Sequence, residues 1–284
     1  MKLDNPSNVN VPCFLMNYPF SVSNKVINNA WMSSSQGDYD KQRAGDQWLK
    51  LYHYLAERGL VYILPGHNDL QDLPFVANLG CYLPHIKDKD VILLSKFTSK
   101  PRRGEEMFGR KFFRSFDYRA VSLPYCWEGE ADLKWVRDNV YVGGIGSRST
   151  VAAFAWMEDQ FDMVVTTIEL TDPKLYHLDC VYFPLDSEKA LVNVAAIKPA
   201  DLRKLEALTE IVEVPAEYVY EGWTNVVRVG NTILYAPGEM RWLKFERLLE
   251  KHSLLFKMFD LSEFNKSGAD LSCLVCHLNY LNRP

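Results

Sequence analysis

The strongest constraint on this chain is that it repeats. Two short apolar segments, a helical one and a third apolar segment follow in order through residues 75–83, 91–97, 104–115 and 118–123, and again through 133–137, 140–143, 150–160 and 163–170. The same order recurs through 177–185, 189–195, 199–208 and 210–214, then through 225–229, 232–236, 239–251 and 254–260, and residues 11–17, 41–58 and 60–64 make a looser fifth copy. A period of roughly 50 residues with one hairpin, helix and strand per period predicts a cyclic or stacked array of small α/β units rather than a sandwich or doubly wound sheet.

Local signals support the individual elements. Trp48, Leu51, Tyr52 and Leu55 fall on one helical face, with Gly59 placed to end that helix. Val226, Val227 and Val229, then Gly230-Asn231, then Ile233, Leu234 and Tyr235 read as a two-residue hairpin. Trp242, Phe245, Leu248 and Leu249 mark another inward helix face.

Composition narrows the function classes. With 284 residues, 48% of them hydrophobic, and no linker or low-complexity tract, residues 1–284 are expected to form a single domain. A net charge of -4 excludes an overall basic field for nucleic acid or an anionic membrane. Lys96, Lys100, Arg102, Arg103, Arg110 and Lys111 form a local basic cluster that reads mostly as a solvated loop and helix face. The opening residues lack the apolar core of a signal peptide and no apolar run would span a bilayer, so a cytoplasmic location is expected. Cys13, Cys81, Cys126, Cys180, Cys273 and Cys276 then read as reduced, mostly buried thiols.

The reactive side chains fall near the starts of units. If Leu175-Tyr176-His177-Leu178-Asp179 is extended, His177 and Asp179 share a face, because strand side chains alternate. Trp127-Glu128-Gly129-Glu130-Ala131-Asp132 concentrates acids just before another unit, and Asp72 and Asn78 flank an apolar strand start. Ser267-Gly268-Ala269-Asp270 approaches a strand that carries Cys273. Taken singly, these are ordinary turn chemistry, a structural histidine and an inert core thiol. Together they supply a nucleophile, a proton carrier and several carboxylates.

The order and spacing of Val26-Ile27-Asn28 with Trp31-Met32, Asp72 with Phe75-Val76-Ala77-Asn78, Arg103-Gly104-Glu105-Glu106, Glu128-Gly129 with Asp132, Gly146-Ser147-Arg148-Ser149, Tyr176-His177-Leu178-Asp179-Cys180, Asn225, and Gly268 with Cys273-Leu274 carry a resemblance. In these residues the chain resembles the guanidino-group-modifying enzymes of the pentein superfamily, five-bladed pseudosymmetric α/β propellers of ββαβ modules, and is most similar to the arginine dihydrolases among them. The resemblance implies that Cys273 attacks the guanidinium carbon and that His177 is the acid–base. It also implies that Glu128 and Asp179 grip the guanidinium N–H groups and orient His177. Arg103 and Arg148 are similar in placement to a clamp for the substrate α-carboxylate, Asp72 to a ligand of the guanidino or α-amino end, and Asn28, Asp132 and Asn225 to further substrate-binding residues.

Asn78 stands where deiminases carry aspartate. An amide both donates and accepts, so it suits a charged guanidinium and then a neutral urea group, which permits a second hydrolytic round from citrulline to ornithine, ammonia and carbon dioxide. Departures from the dihydrolase pattern are Ala131 and Ala269 in place of glycines, and an extra residue between Asn28 and Trp31. If either alanine needs positive φ, it is strained. No metal or other cofactor is expected, since thiolate and bound cation supply the charge complementarity. The expected partner is a small guanidino molecule, neither nucleic acid nor membrane, with homo-oligomerisation left open.

Rival readings are an amidinotransferase, a deiminase that stops at citrulline, and a catalytically silent propeller that binds arginine or a protein. Cys273-Leu274-Val275-Cys276-His277 also matches the covalent haem attachment pattern and a redox dithiol. The haem reading needs export and a helical setting, and this stretch reads as a strand.

Overall fold

A computed structural model describes residues 5–35, 39–236 and 242–282. Its elements run β1 (Cys13–Met16), α1 (Ala30–Ser34), α2 (Lys41–Ala56), β2 (Leu60–Ile63), then β3 (Gly80–Tyr82), β4 (Val91–Leu94), α3 (Glu105–Ser115) and β5 (Arg119–Ser122). Next come β6 (Leu133–Arg137), β7 (Val140–Ile145), α4 (Val151–Phe161) and β8 (Val164–Glu169), then β9 (Tyr182–Pro184), β10 (Lys189–Val192), α5 (Pro199–Glu206) and β11 (Glu210–Glu213). The chain ends with β12 (Val227–Val229), β13 (Thr232–Tyr235), α6 (Trp242–Glu250), β14 (Leu255–Met258), α7 (Ser262–Asn265) and β15 (Cys276–His277). Residues 239–241 of the expected fourth-copy helix, and the side chain of Trp242, lie outside the described residues.

The strands form five three-stranded sheets, β3-β4-β5, β6-β7-β8, β9-β10-β11, β12-β13-β14 and β15-β1-β2. In each, the middle strand pairs antiparallel on one side and parallel on the other, with a helix in the parallel crossover. The looser amino-terminal copy obtains its antiparallel strand from the other end of the chain, where Phe14 pairs with His277. The two-residue hairpin is present: Val229 pairs with Thr232, and Gly230 takes the positive φ of 58° that such a turn needs.

Alternation along the middle strands builds the cores. In β4, Val91 and Leu93 pack with Leu133, Tyr141 and Phe154 of the following unit, whereas Ile92 and Leu94 pack with Cys13 and Leu15 of the preceding one. Being buried on both faces, such strands read as continuous apolar runs. The pattern recurs: Val142 and Ile168 pack with Tyr182 and Val192, and Leu191 and Val212 with Ile233 and Phe245. Phe14, Met16, Trp48 and Leu51 share a further core with Val227, Leu234 and Phe264, so the first and last units are neighbours.

Several boundaries differ from the sequence reading. Helix α2 stops at Ala56, and Gly59 has no left-handed backbone. Its missing side chain makes room for the strand beside it, since a Cβ there would lie 2.3 Å from the Pro12 carbonyl. Within the basic cluster, Arg102 is buried, while Lys96, Lys100, Arg103 and Lys111 are exposed. All six cysteines are free thiols, four of them buried. No described helix is long and apolar enough to cross a membrane.

Candidate active site

The chemistry-bearing residues sit on turns, not strands. One-turn 3-10 segments at Val76–Asn78, Gly129–Ala131, Leu178–Cys180 and Ser272–Leu274 immediately precede β3, β6, β9 and β15. The extended reading of 175–179 therefore fails after His177, whose backbone is extended at φ -120° and ψ 157°, and Cys273 lies in a turn rather than a strand. These turns free amides that a sheet ladder would occupy, and side-chain acceptors take them. Leu178 N donates to Asp132 Oδ1 at 3.1 Å, Ser272 N to Asn225 Oδ1 at 3.0 Å, and His277 N to Glu130 Oε2 at 2.9 Å. The turns at Leu178 and Ser272, and the strand end at His277, are thus each pinned by a polar residue from another unit.

Two glycines permit the close approach of these turns. A Cβ on Gly129, at φ 63°, would lie 2.5 Å from the Ala77 carbonyl oxygen, so only glycine brings the Glu128 turn against the Asn78 turn. Gly268, at φ 68°, faces Trp31, whose ring a Cβ would meet at 2.4 Å. Neither Ala131 nor Ala269 has positive φ, so the replaced family glycines leave no backbone strain.

Asn28, Asp72, Asn78, Arg148, His177 and Cys273 line one narrow cleft, with Arg102 and Tyr176. Its free space of about 20 Å³ is room for roughly one water. His177 Nε2 lies 3.0 Å from Glu128 Oε2 and 3.3 Å from Asn78 Nδ2. When Nε2 carries a proton it donates to Glu128, and when bare it accepts from the Asn78 amide, so the imidazole has a partner in both states. Arg148 reaches both Glu128 oxygens at 3.2 Å, donates to the Asn28 carbonyl at 2.7 Å, and lies over the Tyr176 ring.

The electrostatics separate the acids. Burial works against the charge of Glu128, but His177 and Arg148 outweigh it and hold the carboxyl down at about 2. Burial pushes Asp132 up to about 6 and raises Asp72 above the usual carboxylate range. Burial, then the neighbouring Asp179, pushes the Cys273 thiol up to about 12. Near neutral pH the Cys273 side chain is therefore the protonated thiol.

The other expected site residues stand behind the cleft. Asp179 accepts from Ser272 Oγ at 2.6 Å, and Asn225 Nδ2 donates to Cys273 Sγ at 3.6 Å. Asp132 departs from its expected substrate contact: it accepts from Ser149 Oγ at 2.5 Å and from Leu178 N, which holds the turn beside His177. Arg103 is exposed and donates to the Thr98 carbonyl at 3.5 Å, outside the cleft. Its neighbour Arg102 points inward instead, paired with Glu105 at 2.8 Å and donating to the carbonyls of Asp72 and Phe75. The i, i+3 spacing of Arg102 and Glu105 was the available sequence signal, whereas Ser149 and Ser272 carried none.

His277 has both ring nitrogens engaged, by Glu130 at 2.5 Å and Asn282 at 3.1 Å, so the Cys-x-x-Cys-His string is a packed strand end, not a haem site. Among the described residues no group of three or more His, Cys, Asp or Glu could hold a metal ion.

No protein-family model matches the chain. It is 31% identical over 196 residues to the bifunctional arginine dihydrolase/ornithine cyclodeaminase AgrE of Nostoc sp., a match over 68% of this chain and 27% of the relative. It is 28% identical over 260 residues to the bifunctional arginine dihydrolase/ornithine cyclodeaminase ArgZ of Synechocystis sp., over 87% of this chain and 35% of the relative. The crystal structure of the N-terminal domain of ArgZ, bound to product, superposes with a TM-score of 0.88 at 24% identity, covering 95% of this chain and 98% of that domain. This chain belongs to the guanidino-group-modifying, or pentein, superfamily. The pentein described here spans about a third or less of the length of the two bifunctional relatives, and its mixed α/β fold is that of the ArgZ domain.

Proposed function

We propose that this pentein is an arginine dihydrolase that converts arginine and two waters to ornithine, two ammonia and carbon dioxide through a Cys273-bound intermediate. The observation that carries the reading is the convergence of Cys273, His177, Asn78 and Asp72 on one cleft, with Glu128 behind His177. The planar cation enters a site rich in carboxylates, and its charge stabilises the Cys273 thiolate. The thiolate attacks the guanidinium carbon, a terminal C–N bond breaks, and ammonia leaves with a proton from His177. Water then gives a proton to His177 and adds to the same carbon, and the C–S bond breaks to leave citrulline. A second cycle removes the remaining terminal nitrogen, and the resulting carbamate loses carbon dioxide to give ornithine.

The substrate is read as a small guanidino compound held among Asp72, Asn28 and Asn78, with Arg148, and Arg102 in place of Arg103, as the cations available to its carboxylate. The sharing of a core by the first and last units supports a closed five-bladed α/β propeller, a single catalytic domain over residues 1–284. A cytoplasmic setting fits thiols that are all free.

Incubation with arginine, with products separated by chromatography, tests the proposal. Ornithine and ammonia in a ratio near one to two are expected, and Cys273→Ser should abolish both. Citrulline as the end product would make it a deiminase, amidine transfer to an added amine with ornithine release a transferase, and unconsumed arginine a silent binding protein.

A further inference from the structure

The dihydrolase reading raises a problem of traffic. Ammonia leaves twice while the ornithine arm stays in the cleft, which has free space for only about one water. A second cavity adjoins it. It has a volume of about 320 Å³ and is lined by Trp31, Lys174, Tyr220, Asn225, Gly268 and Asp270, among others. Gly268 lines both spaces, and Asn225, on the wall of the second, reaches Cys273 Sγ at 3.6 Å. The wall between the cavity and the nucleophile is therefore one side chain thick.

The lining favours small cations. The Asp270 carboxylate faces the cavity and is held by Asn265 Nδ2 at 2.6 Å, with Glu221 on the same wall. At the mouth, the Lys174 ammonium lies 5.1 Å from the Trp31 ring and 5.6 Å from the Tyr220 ring, so these aromatic faces already hold a primary ammonium group. Tyr220 and Lys174 are exposed, which connects the cavity to solvent away from the cleft lined by Asp72 and Arg148.

We propose that this cavity is an ammonium vestibule, a cation-binding side passage through which released ammonia leaves and small amines reach the Cys273 adduct while the ornithine arm remains bound. The inference rests on the dihydrolase reading of the cleft. It implies that an amine smaller than the substrate can run the first step backwards. Methylamine adds to the thiouronium carbon, its proton passes to His177, the C–S bond breaks to regenerate the thiolate, and Nω-methylarginine is released.

The test is turnover of arginine with methylammonium chloride at alkaline pH, reading by mass spectrometry the ratio of methylarginine to citrulline plus ornithine. The wild-type chain should form methylarginine. Asp270→Asn should lower the ratio several-fold, because it removes the attraction for the cation while leaving in place every residue that lines the cleft. Val219→Phe, which fills the cavity, should lower it too; Asp270→Asn is nearly isosteric and keeps the test decisive if Val219→Phe fails to fold. Arginine consumption without methylarginine, or a ratio unchanged in Asp270→Asn, overturns the vestibule alone. Arginine left unconsumed overturns the dihydrolase reading beneath it.

Discussion

Glu128 is shared by two partners, His177 and Arg148, and stands behind His177 rather than on the cleft wall. On the dihydrolase reading a substrate carboxylate competes with Glu128 for Arg148, so that binding changes the charge pairing around the cleft. Cys273 obeys the same logic, since with its thiol pushed up to about 12 almost none is ionised near neutrality. Alkylation of the free protein by iodoacetamide at pH 8 is expected to run on the order of a thousandfold slower than for an ordinary thiol of pKa about 8.5, with the rate still rising above pH 10. A plateau near pH 8 would contradict this. At the imidazole, Asn78→Asp removes the amide donor to bare Nε2 and replaces a group that both donates and accepts with one that only accepts. Citrulline should then accumulate and ornithine formation fall by roughly 10²-fold or more; unchanged ornithine output with no citrulline would count against the role given to this amide.

At the scale of elements, the 3-10 turns before the strands aim the site, and two positions two residues apart in one turn should respond unequally. Gly129→Ala forces a Cβ against the Ala77 carbonyl and strains a positive φ, which is expected to cost about 1–3 kcal/mol and at least tenfold in kcat by displacing Glu128 from His177. Ala131→Gly, at a position of ordinary φ, should cost no more than about 1 kcal/mol and leave kcat within a few-fold, as denaturant unfolding and steady-state rates will show. These turns also explain what the sequence could not reveal. The five units were legible because each middle strand is apolar on both faces and each crossover helix keeps an inward stripe, as Trp48, Leu51 and Leu55 do in α2. The resemblance picked out Asn28, Asp72, Asn78, Arg148, His177 and Cys273, and these share one cleft. Their conformation was not legible, because a three-residue turn has no periodicity. Leu178 and Ser272 leave the ladder on account of acceptors 46 and 47 residues away in the chain, Asp132 and Asn225. Arg102 and Arg103 differ by a single backbone step, and the one that is buried is the one met by the Glu105 carboxylate and the carbonyls of Asp72 and Phe75.

At the scale of the whole molecule, the arrangement places ionisable groups where units meet, and their opposed shifts shape the dependence of stability on pH. Glu128 and Glu130 are held down at about 2, burial being outweighed by His177 and Arg148 for the first and by His277 for the second. Their folded-state values lie below the ordinary unfolded value of about 4.3, so the stability they contribute is present above that pH and is lost as pH falls toward 2. Asp132 and Asp270 have the opposite sign. Burial lifts them to about 6 and about 7, so the folded chain binds their protons more tightly than the unfolded one, and they cost stability progressively as pH rises from about 4 to 7. Between those windows both pairs are at their best, Glu128 and Glu130 charged, Asp132 and Asp270 protonated. The thermal midpoint is therefore expected to peak near pH 5, to decline by several degrees toward pH 8, and to fall steeply below pH 4. Asp132→Asn should flatten the alkaline side specifically, because the amide keeps the site's shape without a proton to lose. A midpoint that climbs steadily from pH 5 to 8 would mean that these two carboxylates are ionised and compensated in the fold, and that Asp132 holds the Leu178 turn by charge rather than by a shared proton.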